Sequence, residues 1–180
     1  KKEGPVEPNI TAGLSNTFRY KNWELSALIT VAAGNKIRKP DQYSVDYNDL
    51  SVFPKEMRNR WINPGDEKVT NIPAIADKRT VNEVGRATLR RVYNAYNYST
   101  ERVVDGSFVR MKSIGLSYAF PKEVLDQLKV SNLTLRLQAT NPFLIYADKN
   151  LNGQDAEFFR TGGVAYPVNT QYTFTINLGI

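Results

Sequence analysis

The last thirteen residues, Val168 to Ile180 (VNTQYTFTINLGI), alternate between two faces without interruption. Val168, Thr170, Tyr172, Phe174, Ile176, Leu178 and Ile180 share one face, and six of these seven are apolar. Asn169, Gln171, Thr173, Thr175, Asn177 and Gly179 share the other, where none is apolar. A period of two puts successive side chains on opposite sides of an extended chain. Strands usually run about 5–6 residues, whereas crossing a bilayer takes about 9–11. The segment therefore fits two architectures. One is a membrane strand with lipid on its apolar side and a lumen on its polar side. The other is a long edge strand of a soluble β-sandwich.

Four further stretches alternate in the same way, and strands are expected over about 9–20, 23–34, 107–120, 130–140 and 168–180. Ile10, Ala12, Leu14, Phe18 and Tyr20 line one side of the first; Trp23, Leu25, Ala27, Ile29, Val31 and Ala33 line one side of the second. Lys21-Asn22 reads as a two-residue hairpin turn, with Tyr20 and Trp23 flanking it as an interfacial girdle would. In the third, Ile114, Leu116, Tyr118 and Phe120 are apolar; Arg110 and Lys112 share their parity, which predicts that this end rises above the hydrocarbon. In the fourth, Leu133, Leu135, Leu137 and Ala139 oppose Thr134, Arg136, Gln138 and Thr140. Pro121 stops the third strand, and Lys122–Leu128 has room for about two helical turns. Residues 35–100 and 141–167 show no sustained period and read as long loops. Short connections on one side and long ones on the other suit a membrane barrel, whereas so long a structureless loop is foreign to a compact soluble domain. Long loops outside leave the C-terminus on the periplasmic side. Five strands alone leave two open edges, so the rest of a barrel is expected from elsewhere in the same or another polypeptide.

Composition narrows the function. The 180 residues contain no Cys and no His, which removes disulfides, thiol nucleophiles, Cys/His zinc sites and a Ser-His-Asp triad. No apolar run approaches the roughly 18 residues of a membrane helix. The net charge of +6 prompts a search for a nucleic-acid surface. Lys78, Arg79, Arg86, Arg90 and Arg91 form the densest basic cluster, but Glu83 interrupts it and no recognition motif accompanies it. It reads as a basic loop, and no nucleic-acid partner is expected. Asp41, Asp46 and Asp49 share a loop with nothing to fix their geometry, so they read as solvated acids. Asp148, Asn150 and Asn152 open a D-x-N-x-N-G run like a calcium loop, but Phe159 stands where the closing Glu belongs. No catalytic group and no cofactor are expected, and the chain reads as a non-enzyme. Tyr43, Tyr47, Phe53, Trp61, Tyr93, Tyr96 and Tyr98 make the long loop aromatic. Such rings stack on sugars, anchor a partner protein or pack the loop on itself.

Four stretches resemble a known family. PNITAGLSNTFRYKNWELS (Pro8–Ser26), RWINPGDE (Arg60–Glu67), DGSFVRMKSIGLSYAFPKEVL (Asp105–Leu125) and YPVNTQYTFTINLGI (Tyr166–Ile180) occur in the order seen in the C-terminal portion of SusC/RagA-type TonB-dependent outer-membrane transporters of Bacteroidota. The third is the most specific. Two features depart from the family: Gly153-Gln154-Asp155-Ala156-Glu157 lacks the Pro of its Gly-x-Asp-Pro-Glu loop, and Ile180 stands where such barrels usually end on an aromatic. The resemblance implies an all-β transmembrane antiparallel barrel of 22 strands, of which these would be the last five. It implies a plug domain and a TonB-contacting segment outside this chain, a SusD-like surface lipoprotein as lid, and import of glycans or peptides. The competing expectation is a secreted β-sandwich that binds carbohydrate with its aromatic loop.

Overall fold

The computed structural model describes residues 2–45, 52–157 and 168–180. Its main element is a five-stranded antiparallel sheet in the order β1-β2-β5-β6-β7. The strands are β1 (Ile10–Tyr20), β2 (Trp23–Ala33), β5 (Phe108–Ala119), β6 (Asn132–Ala147) and β7 (Gln171–Gly179). A separate antiparallel pair, β3 (Lys36–Arg38) with β4 (Val103–Asp105), lies between β2 and β5 in sequence. Short connections gather at one end of the sheet. Lys21-Asn22 joins β1 to β2, with Lys21 at φ 51°, and α3 (Lys122–Leu128) with its flanks joins β5 to β6. The longer segments, 34–107 and 148–170, leave from the other end.

The register puts apolar residues side by side across the whole sheet. Phe18 pairs with Leu25, Leu25 with Leu116, Leu116 with Leu137, and Leu137 with Phe174. The row nearer the short turns runs Tyr20, Trp23, Tyr118, Leu135, Ile176 by the same pairings. On the opposite face Arg19, Glu24, Ser117, Arg136 and Thr175 form one row, and Thr17, Ser26, Gly115, Gln138 and Thr173 the next. Because the side-chain period is two, a slip of one residue would exchange these faces, so the pattern itself selects the register.

Four expectations need correction. First, Arg110 and Lys112 do not lie on the apolar face. Ile29 pairs with Met111 while Leu28 pairs with Ser113, so Lys112 is an extra residue, a β-bulge. A bulge shifts the alternation by one. Met111 and Val109 thus continue the apolar face, and Arg110 turns inward opposite Thr30. Second, the fourth strand extends to Ala147 and does not end near Thr140. Pro142 lies in the stretch that β7 no longer pairs, since that pairing ends at Thr140↔Gln171. A proline is tolerated on such an edge. Third, the span 35–100 is not structureless: besides β3 it holds α1 (Lys78–Val84) and α2 (Arg86–Asn97). Gly85 at φ 86° separates the two helices. Their apolar period escapes notice because α2 buries a Leu, a Tyr and an Asn (Leu89, Tyr93, Asn97) at spacings of four. Fourth, the basic cluster is no loop, for Lys78, Arg79, Arg86, Arg90 and Arg91 are exposed on these two helices.

Candidate functional site

Two surfaces carry whatever this chain does: the apolar face of the sheet and the cap formed by its long loops. The apolar face is bare. Leu14, Phe18, Leu25, Ile114, Leu116, Leu137, Phe174, Ile176 and Leu178 are all exposed, Phe174 to 61%. Soluble proteins rarely leave so contiguous an apolar patch in water. A β-sandwich would cover one face with a second sheet about 10 Å away. Among the described residues, the second sheet is only the three-residue pair β3–β4. At the short-turn end the Trp23 and Tyr118 rings meet at 4.6 Å, and Phe120 packs edge-on to Tyr118 at 5.1 Å. Aromatic rings that close an apolar band against a polar boundary are the arrangement of a membrane interface.

The cap is a folded unit held by buried polar and apolar clusters. Glu56 stands at its centre. Its Oε1 accepts bonds from Arg102 Nη1 (2.5 Å) and Gln42 Nε2 (2.8 Å). Its Oε2 accepts from Lys39 Nζ (2.5 Å) and Asn152 Nδ2 (2.6 Å). One carboxylate thus ties three other points of the first long segment to one of the second. Burial pushes the Glu56 carboxyl up, but the bonds from Lys39, Arg102 and Gln42 outweigh it and hold it below the usual range. Arg102 is fully buried; its Nη2 also donates to Pro40 O at 2.8 Å, and its guanidinium lies over the Tyr96 ring. Losing one partner of such a buried pair leaves an uncompensated charge.

The loop aromatics divide by location. Tyr43 and Tyr93 are buried and stack at 5.0 Å, with Tyr96 edge-on to Tyr43 at 5.4 Å. Met57 and Leu89 complete this cluster. The Tyr93 hydroxyl accepts the Ala76 N–H at 2.7 Å and donates to Ala74 O at 3.2 Å, and the Tyr43 hydroxyl donates to Pro73 O. Desolvation pushes the Tyr43 phenol well above its ordinary range. Of the three roles open to these rings, Tyr43 and Tyr93 take the last: they build the loop's own core, as buried aromatics commonly do. Tyr96 is half-buried beside them. Trp61 is exposed at 41%, its indole N–H donating to Asn63 O at 2.6 Å. Tyr47 lies outside the described residues.

Asp148, Asn150 and Asn152 take part in the turn's own hydrogen bonds. Asp148 Oδ1 accepts the Asn150 N–H at 2.9 Å, and Oδ2 accepts the Asp105 N–H at 3.0 Å. Asn152 spends its amide on Glu56. The D-x-N-x-N-G run thus shapes a turn and joins it to β4. No cluster of three or more acidic side chains suited to a metal occurs among the described residues. Asp105 in turn accepts both the N–H (2.9 Å) and the hydroxyl (2.6 Å) of Ser107, whose Oγ accepts the Gly34 N–H at 3.1 Å. Burial raises the Asp105 carboxyl, but the Ser107 bonds more than offset this and hold it low. The Asp-Gly-Ser-Phe motif is accordingly a junction between β2 and β5, with Phe108 buried beneath it.

A long antiparallel sheet with one bare apolar face, one polar face, aromatic closure and loops gathered at one end has the pattern of a transmembrane β-barrel wall. No described helix is long and apolar enough to cross a membrane. The comparisons agree with this class and extend it to a family resemblance. No protein-family model matches the chain. It is 25% identical to TonB-dependent receptor P39 of Formosa agariphila over 94% of its length and 16% of that protein. It is 28% identical to TonB-dependent receptor P26 of the same organism, over 89% of its length and 15% of that protein. Among solved structures, the RagAB peptide importer in its open-open state superposes with TM-score 0.67 at 22% identity, covering 100% of this chain and 18% of that one. The resemblance to TonB-dependent receptors thus extends over most of the chain, which spans about one-sixth of the relatives it matches.

Proposed function

We propose that this chain forms the last five strands of a 22-stranded outer-membrane barrel that imports glycans or peptides in a TonB-dependent manner. The observation that carries this reading is the row Phe18–Leu25–Leu116–Leu137–Phe174, exposed and apolar from one edge of the sheet to the other. Both edge strands, β1 and β7, present unpaired N–H and C=O groups. In hydrocarbon each such group costs several kcal/mol, so further strands of the barrel must meet both edges. Outer-membrane lipid contacts the apolar face. The short turns and the end of β7 lie on the periplasmic side, and the cap lies outside. A plug and a TonB-contacting segment belong to the remainder of the transporter. A SusD-like surface lipoprotein sits over the cap, with Trp61 on the contacting surface.

The test uses the complete polypeptide that contains this segment. It should fractionate with the outer membrane, need detergent for extraction, and show heat-modifiable mobility on a gel. A lipoprotein should co-purify and be released when residues 35–100 are deleted, while heat-modifiability persists. Recovery as a soluble monomer without detergent, with a cooperative melt, sinks the proposal. Full retention of the lipoprotein after the deletion removes the role given to the cap.

A further inference from the structure

The bulge at Lys112 turns two cations toward the inner face, and both meet acids of the second loop. Arg110 Nη2 donates to Asp155 Oδ2, and the two side chains are each only 5% exposed. Arg110 Nε lies 3.0 Å from Glu157 Oε2. Lys112 Nζ donates to both oxygens of Glu157, at 2.7 and 2.9 Å. Asp155 Oδ1 also accepts the Glu157 N–H at 3.0 Å, which orients the second acid against the first. Two cations and two anions thus close on each other with no net charge. Beside them Leu151 and Ala156 are buried against Ala32, Ile37, Val104 and Phe108. Ala32 and Phe108 are a register pair, and Phe108 also pairs with Ala147, which packs against the same cluster.

We infer that the segment 148–157 is a mouth-narrowing loop, folded down over the inner face of β2, β5 and β6 and locked there by Arg110, Lys112, Asp155 and Glu157. The lock explains why the strand carries a bulge at this point. A regular strand would carry Arg110 and Lys112 on the same side as Ile114, the lipid side, where a charge is costly. The bulge instead directs both cations to one carboxylate. Neutralising either acid leaves two cations, Arg110 buried among them, facing a single carboxylate, which favours a lifted loop. The mouth assignment rests on the barrel reading above; the lock itself does not.

The chain has no cysteine, so a single Ala156→Cys reports on the lock. Ala156 is 2% exposed, and its thiol should react slowly with a membrane-impermeant maleimide. In the complete protein, adding Asp155→Asn or Glu157→Gln should raise that rate at least tenfold. Glu157→Asp should restore most of the protection, and Lys149→Gln, a charge change at an exposed site of the same segment, should leave the rate unaltered. Heat-modifiable mobility must persist in every variant compared; if Asp155→Asn abolishes it, Glu157→Gln carries the comparison. Rates within twofold of the Ala156→Cys parent overturn the lock. The narrowing role is read from Ser113→Cys, which lies on the polar face beside the bulge, opposite Leu28 and Thr140, labelled from outside by a bulky impermeant maleimide in the same charge variants. Raised labelling at both cysteines is expected, and raised labelling at Ala156→Cys with unchanged labelling at Ser113→Cys overturns the mouth-narrowing role. Loss of outer-membrane partitioning in the parent protein would refute the barrel reading instead, with the labelling comparison still readable in detergent.

Discussion

A charge placed on β7 discriminates between lipid and water on the apolar face. Tyr172 pairs with Ala139, which pairs with Ile114, in the third row counted from the Tyr20–Trp23–Tyr118 row. From Tyr118 to Ile114 is about 13 Å along the strand at roughly 3.3 Å per residue. With a tilt of about 40° that becomes roughly 10 Å of depth, close to the middle of an apolar band about 25 Å tall. Arg at the midplane costs about 2–4 kcal/mol. Tyr172→Arg should therefore lower the folding equilibrium in lipid vesicles roughly 30- to 700-fold, at about 1.4 kcal/mol per tenfold. Thr173→Arg, one residue away on the polar face and paired with Gln138, should stay within about 0.5 kcal/mol of the parent. Denaturant titration of the complete protein, read by heat-modifiable mobility, measures both. Equal effects at the two positions would refute the assignment of lipid to the Tyr172 face, because on a water-exposed sheet both substitutions are surface changes.

Four more outcomes test the cap. Glu56→Gln should destabilise the packed loops by about 3–5 kcal/mol, since it strands the fully buried Arg102; faster hydrogen exchange at residues 39–42 and 102 would register it, and parent-like exchange would contradict the hub. The folded-state carboxyl of Glu56 titrates below its usual 4.5, so its contribution is present above that value and disappears as pH falls through the lower, folded one; protease resistance of the cap should hold at neutral pH and fail only below about pH 4.5. Tyr93→Phe leaves the Ala76 N–H and Ala74 O without their hydroxyl partner and should cost about 1–3 kcal/mol, measurable by the same exchange at residues 74–76. Gly106→Ala would bring its Cβ within 2.8 Å of Ile37 Cγ1 and nearer still to the Asn35 amide, so it should cost about 1–3 kcal/mol by overpacking and loosen β3–β4; retained exchange protection at Ile37 would contradict this.

What the sequence determined by itself was the sheet and its two faces. Alternation in period two marks β1, β2, β5, β6 and β7 and assigns nearly every side chain to the apolar or the polar face, because that pattern is local and each strand repeats it. The position of the short turns follows from the same spacing, with Pro121 and Lys21-Asn22 as punctuation. The terminal strand keeps its alternating faces but spans only Gln171–Gly179 of the thirteen alternating residues, pairing Leu178 with Leu133 and Phe174 with Leu137. Tertiary structure alone decided the rest. The bulge at Lys112 is a single unpaired residue visible only when two strands are laid together, and it reverses the facing of Arg110. Helix α2 does carry a helical period, Leu89, Tyr93 and Tyr96 at spacings of four and three, but tyrosines and Asn97 stand where aliphatic residues would mark it plainly. The Glu56 hub joins residues up to 96 positions apart, and the Arg110–Asp155 pair spans 45. Such contacts depend on where the sheet brings the loops, and neither spacing nor composition encodes it. Which aromatic rings are core and which are exposed was likewise decided by that packing, which buries Tyr43 and Tyr93 and leaves Trp61 in the open.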